Sequence, residues 1–233
     1  MRNTTALTLL ATALAAVSAA PAAAAGTITP DRFSCATKRP SRTLVRTVDG
    51  RVLAIDAGIK GDYRRTKVYV CATRTGKIHY MGLDVSGLSD DTSPSFLRRV
   101  MAPNLSPLAV AWVIQVVDPD TRTSRQQLRQ ISLKSGRLLR SVSVRSAFVR
   151  PLQASNGYLA WIDQAPNGSC TPTCDVHLFN PRGDHIIDSG PDIEADSLSR
   201  DPGEAVGGST TVGSGARLWW LKGGIARTAL YSD

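Results

Sequence analysis

An internal repeat is the feature that most restricts how this chain can fold. Three apolar runs, each with a small residue inside it, are followed by a polar stretch, a second strand-like run, a glycine turn and a further short strand. Self-similarity at such spacing is typical of repeat architectures. The apolar runs are residues 52–56, 108–113 and 158–163, and the glycine turns are residues 75–77, 135–137 and 182–184.

A further candidate strand precedes each apolar run, so that each unit contains four consecutive strands. Arginines recur in the first three of these strands at steps of 52, at Arg46, Arg98 and Arg150, and the chain after residue 25 has room for four units. Turn-forming residues interrupt the chain at short intervals, and no long amphipathic helix pattern is present. The candidate first strands are residues 43–48, 96–101, 148–152 and 193–199.

Four-stranded units that repeat along a chain predict an all-β, β-propeller-like fold, because radial repetition leaves only short, protected sheet edges. We expect four blades. The last unit is one strand short, and we expect a strand within residues 26–42 to close the ring. The alternative fold is a two-sheet β-sandwich. The tryptophans that we expect to pack between blades are Trp112, Trp161, Trp219 and Trp220.

Parts of the sequence resemble a known group of proteins. The pairing of the Leu-Ala-Trp strand at residues 159–161 with a later strand, a glycine turn and another strand is similar to a propeller blade. Residues 196–199 followed by residues 217–227 resemble the end of propeller-like proteins that actinobacteria secrete. The resemblance implies a propeller fold and export, and it implies no activity.

The first 25 residues have the pattern of a secretory signal peptide. Arg2 gives a positive start, residues 6–17 are largely apolar, and residues 23–25 are three alanines that suit cleavage before Gly26. No later segment approaches the ~20 apolar residues of a membrane-spanning helix. We therefore expect a secreted monomer with one domain, residues 26–233, and no transmembrane segment.

All four cysteines lie after the predicted signal peptide, and in an oxidising compartment an even number favours disulfides. Three pairings are open. We favour Cys170 with Cys174, across a short turn, and Cys35 with Cys71. The alternative is a zinc site made by Cys170, Cys174 and His177.

The charge of the chain is unevenly distributed. It contains 28 Lys and Arg against 19 Asp and Glu, and the basic excess lies before residue 150, whereas residues 151–233 are acidic. Such a field favours an acidic polymer or protein at the cell surface as a partner, although it also serves solubility. Nucleic acid is not expected, because only 6% of residues are aromatic and the tryptophans lie in core-like runs.

Two groups of charged residues are candidate sites. Arg46, Arg98, Arg99 and Arg150 lie on predicted inner strands, where they could converge on a carboxylate, phosphate or sulfate group. Alternation along a strand would also place Asp192, Glu194 and Asp196 on one face, where three carboxylates predict calcium. No other cofactor is expected.

Signatures of catalysis are weak in this sequence. The three histidines are scattered, and no Gly-x-Ser-x-Gly motif is present. The sequence therefore favours a non-enzymatic binding or scaffold module with an acidic extracellular ligand. The alternative function is a secreted hydrolase or lyase that acts on a polysaccharide or cell-wall polymer through carboxylates between the blades.

Overall fold

The computed structural model describes residues 42–87, 96–154, 156–200 and 217–230, and every regular element in them is a β-strand. All of these residues belong to the second of two units of the chain, Asp31–Asp233. None of them forms a helix that could cross a membrane. The predicted signal peptide and most of the predicted closing segment, residues 26–42, lie outside the described residues, and both stay predictions.

The first two predicted units form one antiparallel sheet of eight strands in chain order. The two units are joined through β4 and β5, where Val85 pairs with Arg98 and Ser86 pairs with Phe96. The strands are β1 (Arg42–Arg46), β2 (Gly50–Lys60), β3 (Tyr63–Ala72), β4 (Ile78–Gly87), β5 (Phe96–Leu105), β6 (Ala109–Val117), β7 (Ser124–Ser132) and β8 (Leu138–Val144).

The third unit is a sheet of four antiparallel strands, and the described part of the fourth unit is a sheet of three. Within each of the three sheets, strands that are consecutive in the chain pair with each other, and the fold is all-β and β-propeller-like. The two-sheet sandwich is not the observed arrangement. The strands are β9 (Leu152–Gln153), β10 (Leu159–Asp163), β11 (Cys174–Asn180), β12 (Gly183–Gly190), β13 (Ser199–Arg200), β14 (Arg217–Lys222) and β15 (Ile225–Leu230).

The glycine turns have the conformation that the repeat predicts. Gly76, Gly136 and Gly183 have φ angles of 64°, 71° and 125°, which residues with a Cβ rarely adopt. The first two turns also share their hydrogen bonds: the amides of Gly76 and Gly136 donate to the carbonyl groups of Ala72 and Ser132 at 2.9 and 2.8 Å. In the first two units, the sequence repeat is thus also a repeat of backbone geometry.

The core lies between successive units rather than within one. Residues 109–114 of β6 and all of β10 are buried. Because alternate side chains of a strand point to opposite faces, such strands need packing partners on both sides. Trp112 lies in the core between units one and two, Trp161 between units two and three, and Trp220 between units three and four. The expected packing is confirmed for these three tryptophans.

The structure corrects two of the predicted first strands. In residues 148–152, β9 begins only at Leu152, because Pro151 has no N–H to donate and the Phe148 amide donates to the Ser146 hydroxyl at 3.0 Å. In residues 193–199, Ile193 makes a single bridge to Lys222, and β13 begins at Ser199. Arg150 and the three predicted calcium ligands therefore do not lie on strands.

A buried amide network connects units two and three. The Gln130 side chain donates to the Gln153 side-chain oxygen at 2.8 Å and to the Gly157 carbonyl at 2.9 Å. The Gln153 side chain in turn donates to the carbonyl of Asn104. Gln130 and Gln153 are only 2% and 1% exposed, so each of these polar groups depends on the others.

A charged contact joins the same two units. Arg145, which follows β8, donates to the Asp163 carboxylate at 3.2 Å and to the Asp175 carboxylate at 2.7 Å. The Ser189 hydroxyl donates to the second oxygen of Asp175 at 2.6 Å. The hydrolase alternative requires carboxylates between the blades, and these two lie where units two and three meet. Both of them are bound by Arg145.

A third polar contact joins units three and four. Asp188 of β12 accepts hydrogen bonds from the Trp220 indole and the Lys222 ammonium, both at 2.8 Å. Burial acts to raise the pKa of the Asp188 carboxyl, but the hydrogen bonds from Lys222 and Trp220 outweigh burial and hold this pKa below its usual range.

We predict that Gln153→Leu lowers the free energy of unfolding by about 1–3 kcal/mol, because it removes the hydrogen bond to the Asn104 carbonyl and leaves part of the buried Gln130 amide without its partner. Denaturant unfolding of the full chain measures this difference. Thr228→Leu, at an exposed position of β15, is the control and should change stability by less than about 0.5 kcal/mol. Equal stability of the parent and Gln153→Leu would contradict a structural role for the network.

We also predict a pH-dependent effect of Asp188→Asn. The lowered pKa means that the Asp188 carboxylate stabilises the fold above the usual aspartate pKa, and that this contribution disappears as the pH falls through the folded-state value. The free energy of unfolding of the variant should therefore be about 1–2 kcal/mol lower than that of the parent at pH 7. In acid the two values should approach each other. Thermal unfolding over a pH series tests this, with Asp62→Asn, at an exposed turn, as the control.

Candidate anion-binding site

The structure brings together two of the four predicted arginines. Arg46 is exposed at the end of β1, and Arg98 points toward Gly82 of the first unit. Arg99 follows Arg98 on β5 and therefore faces the other side of the sheet. Arg99 and Arg150 line one cleft, and neither Arg46 nor Arg98 is among its described lining residues.

Arg98 lies next to a second arginine, Arg129. Burial, and then the charge of Arg98, lower the pKa of the Arg129 guanidinium. Within the described residues, the Nε atoms of both arginines are buried and have no hydrogen-bond partner. Arg129 donates instead to the Gln127 side chain at 2.8 Å. Arg98 thus packs beside another cation, outside the cleft that holds Arg99 and Arg150. Its predicted role in anion binding stays a prediction.

The cleft that holds Arg99 and Arg150 has a volume of about 620 Å³. We call it the arginine cleft. It lies where β5, β6 and β7 meet the segments that precede β9 and follow β10. Its lining combines cations, amides and aromatic rings, and includes Phe96, Arg99, Gln115, Ser124, Gln126, Phe148, Arg150, Gln164, Asn167 and Asp196.

The two arginines of the cleft differ in how firmly they are held. The Arg99 guanidinium lies over the Phe96 ring, 3.8 Å from its centroid, and this stacking fixes the plane of the cation. Arg150 pairs with Asp196 at 3.7 Å, and the two side chains are 76% and 70% exposed. A salt bridge this exposed contributes little to stability. The carboxylate of a ligand can therefore replace Asp196 at a small cost in free energy.

Neutral groups complete the arginine cleft. Gln126 and Gln164 are buried, with 9% and 2% exposure, yet both contribute to its lining. The Gln126 amide donates to the Ser124 hydroxyl at 2.7 Å. Phe148 is 60% exposed, and its ring packs against Gly168, where a Cβ atom would lie only 3.1 Å away. The cleft therefore offers cations for carboxylates, amides for hydroxyl groups and an aromatic face for an apolar surface.

The three predicted calcium ligands are spread over a turn. Asp196 faces the arginine cleft, the Asp192 carbonyl accepts the Gly223 amide at 2.8 Å, and the Glu194 amide donates to the Leu221 carbonyl at 2.9 Å. Among the described residues, no group of three His, Cys, Asp or Glu side chains is arranged to hold a metal ion. Calcium binding stays an untested prediction.

The predicted disulfide between Cys170 and Cys174 is confirmed, with a Cα–Cα distance of 4.6 Å. The alternative zinc set is wrong, because these two sulfurs are bonded to each other. His177 bonds instead to Asp184 at 3.0 Å and stacks on Trp161. Cys71 is also disulfide-bonded, and its predicted partner, Cys35, lies outside the described residues.

A second concave surface was not predicted from the sequence. It has a volume of about 700 Å³, and none of its described lining residues also lines the arginine cleft. We call it the basic groove. A signal for it was present, because basic residues recur around the glycine turns as Arg74 and Lys77, Lys134 and Arg137, and Arg182. The basic groove is lined by residues that include Asp49, Arg74, Leu108, Lys134, Arg137, Leu138, Leu139, Arg140, Tyr158 and Phe179.

No known protein family and no curated protein matches this sequence. Among solved structures, an acylaminoacyl peptidase from Pyrococcus horikoshii is similar with a TM-score of 0.35 and 8% identity, over 80% of this chain and 38% of that chain. The β-propeller domain of the Trilobed protease from Pyrococcus furiosus has a TM-score of 0.31 and 10% identity, over 76% of this chain and 57% of that domain chain.

A puromycin-hydrolyzing peptidase of Mycobacterium tuberculosis has a TM-score of 0.32 and 14% identity, over 85% of this chain and 40% of that chain. This chain thus spans less than two thirds of the length of each of these structures. Likeness at this level assigns no activity, substrate or partner to the chain. The resemblance to proteins secreted by actinobacteria stays a prediction.

Proposed function

We propose that this chain is an extracellular, non-enzymatic module that binds an acidic sugar polymer through the arginine cleft. One observation carries the proposal: Arg99 and Arg150 line the same cleft as the amides of Gln115, Gln126 and Gln164. The extracellular location is part of the proposal. The signal-like residues 1–25 and the disulfide between Cys170 and Cys174 support it.

The chemistry of the cleft suits the carboxylate of a uronic-acid unit. A guanidinium can bind a carboxylate through two parallel hydrogen bonds, and Arg99 is already oriented by Phe96. Glutamine side chains both donate and accept, as the hydroxyl groups of a sugar require. The exposed ring of Phe148 provides a flat apolar surface for the C–H face of a sugar ring.

Hydrolysis receives less support than binding. Glycoside hydrolases use a pair of carboxyl groups on either side of the bond to be cleaved. Asp196 is the one carboxylate among the described lining residues of the cleft. Asp163 and Asp175, the carboxylates between units two and three, are both bound by Arg145. The hydrolase or lyase therefore stays the second candidate, with no specific observation in its favour.

We expect Arg150→Ala to weaken binding of oligogalacturonate to the full chain about tenfold, because one charge-assisted contact is lost. Isothermal titration at several salt concentrations measures the effect, with a neutral oligogalactan of equal length as the reference ligand. Arg99→Gln should have a similar effect. Arg46→Ala removes the same charge outside the cleft and is the matched control.

The opposite effect is expected for Asp196→Asn, which removes the carboxylate that competes for Arg150 and should strengthen binding two- to threefold. Equal binding of acidic and neutral oligosaccharides would refute the proposed ligand class. Equal losses of affinity in Arg150→Ala and Arg46→Ala would show that the effect depends on the net charge of the chain and not on the cleft. New reducing ends or unsaturated products in the mixture would establish the enzymatic alternative instead.

A further inference from the structure

The basic groove has a rim of cations that are largely free of internal partners. Arg74 is 75% exposed and makes a long contact of 3.8 Å with Asp49. Lys134 and Arg137 are exposed, and neither forms a salt bridge within the described residues. Among the described lining residues, Asp49 is the one carboxylate, so the groove has an excess of positive charge.

The floor of the same groove is apolar. Leu108, Leu138 and Leu139 are 54%, 51% and 40% exposed, and all three contribute to the lining. Tyr158 and Phe179 add aromatic surface. Leu138 and Leu139 begin β8, which is an edge strand of the eight-stranded sheet. Exposed apolar side chains that cluster inside a concave surface are typical of an interaction site.

Arg140 connects the floor to the rim. Its guanidinium lies over the Phe179 ring, 3.4 Å from the centroid, and one of its terminal nitrogens donates to the Leu139 carbonyl at 3.3 Å. Its Nε atom is buried and has no hydrogen-bond partner within the described residues. A guanidinium that is fixed in this way retains donors for a carboxylate, and stacking on the ring reduces its freedom before a ligand arrives.

We infer that the basic groove binds an acidic peptide segment in which Asp or Glu residues are interspersed with leucine-like side chains. Lys134, Arg137 and Arg140 would pair with the carboxylates, and Leu138 and Leu139 would pack against the apolar side chains. A polyanionic sugar or a nucleic acid would complement the rim but not the leucines of the floor. The positive charge of the rim and the apolar surface of the floor together favour a peptide over these two other polyanions.

This site is independent of the proposed function, because the two clefts have no lining residue in common within the part of the chain that the structure describes. The two sites also differ in chemistry. The arginine cleft presents amides to hydroxyl groups, whereas the basic groove presents leucines and a stacked cation. A failure of sugar binding would therefore leave the peptide proposal standing, and the converse also holds.

The test uses three fluorescent peptides of equal length with the full chain: alternating Glu and Leu, alternating Glu and Ser, and alternating Lys and Leu. Fluorescence anisotropy measures their affinities. We expect the Glu/Leu peptide to bind most tightly. Lys134→Ala combined with Arg137→Ala should weaken its binding about fivefold, since two exposed ion pairs are lost. Leu138→Ser should weaken the Glu/Leu peptide and leave the Glu/Ser peptide unchanged.

The matched control is Arg64→Ala combined with Lys67→Ala, which removes two exposed cations of β3 that line neither cleft. It should retain the affinity of the parent. Arg150→Ala should also retain it, which separates this site from the arginine cleft. Circular dichroism of each variant verifies that the fold is intact.

Four results would overturn the inference. Equal affinities for the Glu/Leu and Glu/Ser peptides would show attraction by charge alone. Equal losses in the groove variant and in the control variant would show that the site is not the groove. Complete displacement of the Glu/Leu peptide by heparin, together with equal binding of heparin by Leu138→Ser, would favour a polyanionic sugar as the ligand. No binding by the folded parent chain would also refute it.

Discussion

The fold depends on the burial of both faces of the central strands. In β6 and β10 the side chains on either face pack into the cores between neighbouring units, so neither strand is satisfied by its own sheet. Burial of apolar surface is the main favourable contribution to folding, and here a unit obtains it only when a second unit lies against it. The same arrangement recurs at three places along the chain, with a tryptophan in the core at each.

Polar contacts then fix how successive units are aligned. Between units one and two, the Lys77 ammonium and the His79 ring lie 3.0 and 2.9 Å from carbonyl oxygens of the turn that follows β7. Units two and three are aligned by the amide network and by Arg145. Units three and four are aligned by the hydrogen bonds of Asp188. Apolar packing tolerates small shifts, whereas a hydrogen bond requires its donor and acceptor at a defined distance and angle.

The sequence predicts this architecture well because the repeat, the turns and the alternation of side chains are local features. The position of Arg150 was harder to predict, since Pro151 interrupts the strand that the recurring arginines suggested. Arg99 and Arg150 come together because of how the segments around β9 fold. The spacing of arginines in the sequence does not predict that conformation. The basic groove left a trace in the basic turn residues, but its leucine floor is recognisable only once β8 is seen as an edge strand.

The two concave surfaces lie at opposite ends of β7. Ser124 and Gln126 line the arginine cleft, and Gln130 and Ser132 line the basic groove. At about 3.3 Å per residue, the ends of this strand are about 25 Å apart. A molecule bound in one surface therefore leaves the other open. A chain that used both would act as a rigid bridge, holding a polymer and a polypeptide at a fixed separation and raising the local concentration of each around the other.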